Sequence, residues 1–210
     1  MHVTVSYDTI IAMTDRPASP SRNDVIAVAE RLLTEEGPTA LSMRRLANEL
    51  GTSYQVVYTR IGGKADVVRA LHDSGMDRLT QAARASEGMA EEGSDEQLIA
   101  LGQAYLDMAV AHPALFDVMF GVPIPEFVRD DAARKVAWTG FRNTWVAGCR
   151  TWLDARYEER PRRSSVRLAW RLWTAVHGIT VLHLAGHDAP GNVRKEIAGV
   201  IRRLLRDPLD

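Results

Sequence analysis

The stretch Leu41-Ser42-Met43-Arg44-Arg45-Leu46-Ala47-Asn48-Glu49-Leu50-Gly51-Thr52-Ser53-Tyr54-Gln55-Val56-Val57-Tyr58-Thr59-Arg60-Ile61-Gly62-Gly63-Lys64 decides the fold. Ser42 is an N-cap residue for a short helix whose Leu46, Ala47 and Leu50 face inward, and Gly51 ends that helix where the left-handed conformation favours a residue without Cβ. Thr52 and Ser53 restart the chain. The next helix, Ser53 to Arg60, turns Val56 and Val57 back towards its neighbours and leaves Tyr54, Gln55, Tyr58 and Arg60 outside. Two short helices joined by so tight a turn form a helix-turn-helix. The second helix can then enter the roughly 12 Å major groove of DNA while the first lies across the backbone.

Working outward, Ser21 precedes Val25, Ile26, Val28, Ala29, Leu32 and Leu33, an apolar set at helical spacing that stops at Gly37-Pro38. Residues 1–20 contain Pro17 and Pro20 without a helical stripe and read as a flexible N-terminal arm. After Gly62-Gly63, a helix opens near Lys64 and carries Val67, Val68, Leu71, Met76 and Leu79, with Asp66 at its positive end. Residues 86–95 read as a polar loop, and a helix over 95–112 ends before Pro113. Leu115 to Phe120 precede a Gly121/Pro123/Pro125 break, and a long helix over 127–158 carries Trp138, Phe141, Trp145 and Trp152 on one aromatic face. Beyond the Arg160–Arg163 bend come helices over about 165–185 and 191–206. The richer arginine cluster from Arg160 to Arg171 reads as a solvated loop. No segment alternates with period two, so the fold class is all-α. The expected domains are the arm (1–20), a helix-turn-helix domain (21–66) and a larger helical ligand-binding and dimerisation domain (67–210).

The 46% hydrophobic content of this 210-residue chain excludes a disordered protein. A net charge of −1 excludes coating of nucleic acid by bulk electrostatics but leaves room for a local DNA-reading surface. No apolar run approaches the roughly 18 residues of a membrane span. Cys149 is the single cysteine and no secretory signal is visible, so the expected compartment is the cytoplasm.

The run from Leu41 to Lys64 resembles the DNA-binding motif of the tetracycline-repressor (TetR) family, sharing Ala47, the turn at Gly51, Tyr58 and Lys64 in register. Ile61 stands where most members have Phe, an apolar replacement that affects packing only. The resemblance implies a base contact from Arg44 and reading of bases by Tyr54, Gln55 and Arg60, with Ser53 at the tip of the recognition helix. It gives Ser42, Tyr58, Thr59 and Lys64 to phosphates. Chemically, Gln55 suits an adenine edge and Arg44 or Arg60 a guanine edge, each worth about 1–3 kcal/mol of discrimination. Arg45 and Arg69 are expected to be solvated or ion-paired, and Tyr58 to be partly core. Further on, Tyr105 to Gly121 and Trp173-Thr-Ala-Val-His177-Gly178 resemble one C-terminal domain type of the same family, the latter as its Trp-(three)-His-Gly signature. That implies a homodimer formed through the last two helices and a pocket between the central ones. The candidate pocket residues are Tyr105, Phe116, Phe120, Trp138, Phe141, Trp145, Trp173 and His177, since ligand sites are mostly apolar with few polar groups. His177 is also read as a bond to a backbone carbonyl beside Gly178, and Met108, Met119 and Cys149 as filling.

No phosphate loop, His-Glu-x-x-His or nucleophile elbow is present, and Asp95, Glu96 and Asp107 have ordinary exposed-face spacing, so no enzyme is expected. His183 and His187 lie four apart with no third ligand near in sequence, so no metal is expected, and no cofactor. The expected function is a cytoplasmic, sequence-specific transcriptional regulator of double-stranded DNA, a repressor released from a palindromic operator by a small molecule. The alternatives are a constitutive DNA-binding dimer and a metal-responsive regulator.

Overall fold

The computed structural model describes residues 19–121, 130–159, 161, 163–187 and 191–208. Most of the N-terminal arm, together with Pro123, Pro125, Arg160 and Arg162, lies outside them. Among the described residues every regular element is helical. The order is α1 (Arg22–Glu36), α2 (Met43–Glu49), α3 (Tyr54–Ile61), α4 (Lys64–Ser86), α5 (Asp95–Ala111), α6 (Pro113–Phe120), α7 (Asp131–Phe141), α8 (Ala147–Asp154), α9 (Ser164–Leu184) and α10 (Val193–Leu204). Short 3₁₀ turns at Pro38–Ala40 and Glu87–Met89 follow α1 and α4.

The helix ends show why these segments fold locally. At α1 the Ser21 hydroxyl accepts from the Asp24 N–H at 3.2 Å and the Asp24 carboxylate accepts from the Ser21 N–H at 2.7 Å, a reciprocal capping box. Helix α1 stops at Gly37, whose φ of +80° is left-handed. The Ser94 hydroxyl caps α5 by accepting from the Gln97 N–H, and the Asp130 carboxylate caps α7 by accepting from the Ala133 N–H. Pro113 opens α6, where its missing N–H costs nothing.

Packing starts from α4, whose Val67, Val68 and Leu71 are fully buried. It packs against α1 on the N-terminal side and against α5, α6 and α7 on the other. Helices α5, α9 and α10 close the far side, where Gly102 lets Val176, Ile197 and Ile201 come within van der Waals reach of the α5 backbone. Helix α1 is also tied to the central helices by Glu30. Its carboxylate accepts from Arg78 of α4 at 3.1 Å and from His112, at the α5–α6 junction, at 2.9 Å.

The aromatic helix differs from its sequence reading. A π-helical turn over Arg142–Val146 separates α7 from α8, and helix ends at Asp154 instead of continuing to 158. The turn coincides with Gly140, whose carbonyl takes a hydrogen bond from the Thr144 hydroxyl at 2.9 Å. The added residue changes the register. Trp138 stays 46% exposed while Trp145 and Trp152 are buried, and Trp152 turns to α5 instead of to the side that Trp138, Phe141 and Trp145 share. Trp152 donates to Asp95 at 2.8 Å and carries the Arg156 guanidinium over its ring. Arg163 caps α9 in the left-handed region, φ +67°. No helix among the described residues is long and apolar enough to cross a membrane.

Leu71→Ala is expected to lower stability by about 2–5 kcal/mol, measured by urea unfolding, because the side chain is fully buried and its truncation leaves a cavity. Cys149 is fully buried and burial pushes its thiol pKa far up. Iodoacetamide should therefore modify it only at the rate of global unfolding, which mass spectrometry of the native protein checks.

Candidate DNA-reading face and ligand cavity

The reading face is built by two capped helices. The Ser42 hydroxyl accepts from the Arg45 N–H at 3.2 Å to start α2, and Ser53 accepts from the Val56 N–H at 3.4 Å to start α3. Between them Gly51 holds φ +60° while the Thr52 N–H donates to the Ala47 carbonyl at 2.9 Å, locking the turn. Val57 is fully buried, and Val56 and Ile61 are half-buried, so Tyr54, Gln55, Tyr58, Thr59 and Arg60 face out. Helix α3 ends at Gly62, φ +94°, where a Cβ would sit 2.3 Å from the Asp66 carboxylate. That carboxylate accepts from the Gly63 N–H at 2.8 Å and fixes where α4 departs.

All nine predicted DNA contacts fall on this face or its margins: Ser42, Arg44, Ser53, Tyr54, Gln55, Tyr58, Thr59 and Arg60 are exposed, and Lys64 is half-buried at the start of α4. Tyr54 and Tyr58 stack with ring centres 6.1 Å apart. Tyr58 is 49% exposed, which agrees with its mixed reading. The Thr59 hydroxyl donates to the Gln55 carbonyl at 2.8 Å, and Arg60 donates to Ser19 at 3.1 Å. The adjacent arginines diverge. Arg45 pairs with Glu36 and Glu49 and braces α2 against α1, while Arg44 points outward and makes no ion pair among the described residues. Arg69 pairs with Asp130.

A cavity of about 340 Å³ lies between α4, α7, the π turn and α9. It takes five of the eight predicted pocket residues: Phe120, Trp138, Phe141, Trp145 and Trp173. Tyr105, Phe116 and His177 do not line it. They pack behind it, with Tyr105 and Phe116 buried and His177 held against Phe116, Phe120 and Trp173. His177 makes no backbone bond of the kind expected. Its Nδ1 shares a hydrogen bond with the Tyr105 hydroxyl at 2.7 Å, because the ring faces the α5 side of α9. Gly178 is exposed with open space around it and faces away from that packing. Burial lowers the pKa of His177 and raises that of Tyr105, so the pair stands as neutral imidazole and phenol.

Sequence reasoning missed Thr80, Gly140, Thr144 and Trp170 on the cavity wall. Trp170 was within reach of it, three residues before Trp173 on one helix. The threonines carry no signal in one dimension. Among the described residues, no three His, Cys, Asp or Glu side chains converge as a metal site would require.

A helix-turn-helix with an exposed recognition face, joined through α4 to a helical body holding an aromatic cavity, is the architecture of a DNA-binding transcriptional regulator. Residues 25–71 match the family model of bacterial regulatory proteins, tetR family, and residues 98–207 match that of the tetracyclin repressor-like C-terminal domain. The chain belongs to the TetR family. It is 26% identical over 173 residues to the HTH-type transcriptional regulator Rv0681 of Mycobacterium tuberculosis, covering 81% of this chain and 73% of that one. A protein of unknown function from Rhodococcus sp. RHA1 superposes with TM-score 0.78 at 25% identity, over 93% of this chain and all of that one (100%). The TetR family regulator PfmR from Thermus thermophilus superposes with TM-score 0.58 at 18% identity, over 87% and 97% of the two chains.

Because folded His177 titrates below its ordinary value, the unfolded chain binds a proton that the folded protein does not. This contribution is whole above about pH 6.5 and is lost as pH falls below it. Replacing the ring with a neutral acceptor for Tyr105, His177→Gln, should flatten the fall in stability between about pH 7 and pH 5. Parallel urea titrations across that range, with equal slopes for the two proteins, would sink the assignment.

Proposed function

We propose that the protein is a homodimeric repressor that grips a palindromic operator through Arg44, Ser53, Tyr54, Gln55 and Arg60 at bases and Ser42, Tyr58, Thr59 and Lys64 at phosphates. The supporting observation is the outward side of α3, which presents Tyr54, Gln55, Tyr58 and Arg60 together beside exposed Arg44. Homodimerisation through α9 and α10, close to the expected 165–185 and 191–206, is supported by an apolar stripe on α9. Trp170, Val181 and Leu182 are 55%, 42% and 53% exposed in the single chain, and Gly178 between them permits close helix contact. Two recognition helices would then meet successive major grooves about 34 Å apart.

The effector is a small molecule in the aromatic cavity. A constitutive dimer would need no such space, and a cavity of about 340 Å³ favours sensing. Helix α4 begins at the reading face with Lys64 and lines the cavity with Met76, Leu79 and Thr80. A ligand there biases the spacing of the two readers to the extent that it prefers one arrangement, and by linkage DNA biases the ligand equally. The cytoplasm, where the operator lies, is the compartment this reading requires.

Anisotropy titration with DNA from upstream of its own gene should show tight binding with a steep salt dependence. The Arg44→Ala, Gln55→Ala, Lys64→Ala variant should bind at least about 30-fold more weakly, two lost base contacts at the low end of their range, with a shallower salt slope. Tight binding by wild type and variant alike would remove these residues from the interface. Leu182→Glu should give monomers in sedimentation, and an unchanged dimer would move the interface elsewhere.

A further inference from the structure

We propose that the cavity takes a neutral fused-ring aromatic molecule bearing a hydroxyl or ring N–H donor, an inference that rests on reading the cavity as the effector site. Three features of its wall carry it. The first is surface type: Phe120, Trp138, Phe141, Trp145, Trp170 and Trp173 surround the space with ring faces and edges. They already pack on one another in stacked and edge-on pairs, Trp138 with Phe141 at 5.5 Å and Phe141 with Trp173 at 5.9 Å. A flat arene continues that pattern with its own faces and edges, whereas an acyl chain would lose it. The volume, about 340 Å³, is near the lower end of the roughly 300–1,000 Å³ range of ligand pockets and suits a few fused rings.

The second feature is charge. Among the described lining residues Arg134 is the one ionisable side chain, and it is 64% exposed and paired with Asp131. A cation would meet no carboxylate among the described lining residues. An anion would have only a solvated, already paired guanidinium outside the rings. Desolvating either without a partner is unfavourable, so the occupant is neutral.

The third feature is the polar edge. Thr80 donates its hydroxyl proton to the Met76 carbonyl at 2.9 Å, and Thr144 donates to the Gly140 carbonyl at 2.9 Å. Each oxygen therefore keeps lone pairs and no proton to offer. The two lie together, since a Cβ on Gly140 would be 3.5 Å from the Thr80 oxygen and Gly140 itself carries the carbonyl that holds Thr144. This edge accepts hydrogen bonds, so the occupant donates one.

Calorimetric titration of the full-length protein with β-naphthol, β-methoxynaphthalene, β-naphthoate and β-naphthyltrimethylammonium tests each element on one ring system. β-Naphthol should bind tightest of the four. The Thr80→Val, Thr144→Val variant should lose about fivefold for β-naphthol, the worth of one ordinary hydrogen bond, and leave β-methoxynaphthalene unchanged. Its circular dichroism should match wild type, so that the loss is local. Ala137→Trp, which fills the cavity, should abolish binding of all four. If a charged compound binds as tightly as β-naphthol, or the threonine variant weakens both neutral compounds alike, the ligand class is overturned while the cavity remains an effector site. If none binds, or Ala137→Trp changes nothing, the cavity reading itself falls.

Discussion

Burial of helix α4 on two sides is the constraint from which the rest of the molecule follows. Val67, Val68 and Leu71 are fully excluded from water, and each such side chain is worth about 1.5–3 kcal/mol. Helix α1 covers one side of α4, and α5, α6 and α7 cover the other. The polar tie between the same parts, Glu30 with Arg78 and His112, is partly exposed, with side chains 16%, 39% and 29% accessible. Pairs of that kind contribute about 1 kcal/mol or less. Apolar packing therefore holds the reader to the body, and the ion pairs add little to it.

That arrangement also explains where a space for ligand opens. Helix α4 runs from the recognition helix to the cavity, so its reading end is fixed by the Asp66 cap and its far end by aromatic rings. On the opposite wall Trp145, within the π turn at Arg142–Val146, is buried, while Trp138 of α7 stays half-exposed at the rim. Behind the wall, the buried Tyr105–His177 pair satisfies two polar groups with each other and lets Phe116, Phe120 and Trp173 pack around it. The signature histidine of the C-terminal half thus supports the cavity from outside it.

Local chemistry was readable in one dimension wherever a residue acts on its own neighbours. Ser21 and Ser42 cap helices because a hydroxyl one turn from an unpaired N–H finds it in any fold. Gly51 and Gly62 mark left-handed turns for the same reason. Helical spacing then sorted Val57 inward and Tyr54, Gln55 and Tyr58 outward, and the structure buries the first and exposes the other three. The five expected aromatics that line the cavity sit on α6, α7, the π turn and α9, and were singled out by their spacing and by the resemblance of the C-terminal half.

What the sequence determined by itself is the all-helical order, the helix-turn-helix and its outward side chains, since these depend on contacts within a few residues. Tertiary structure alone decided the partners that come from distant segments. Tyr105 rather than a backbone carbonyl meets His177 across 72 residues of chain, and Glu30 reaches His112 across 82. The π turn, the sorting of Trp138 from Trp145, and the pairing of Thr80 with Gly140 likewise depend on which helix packs opposite. A periodic pattern states which side of a helix is buried, and only packing states against what.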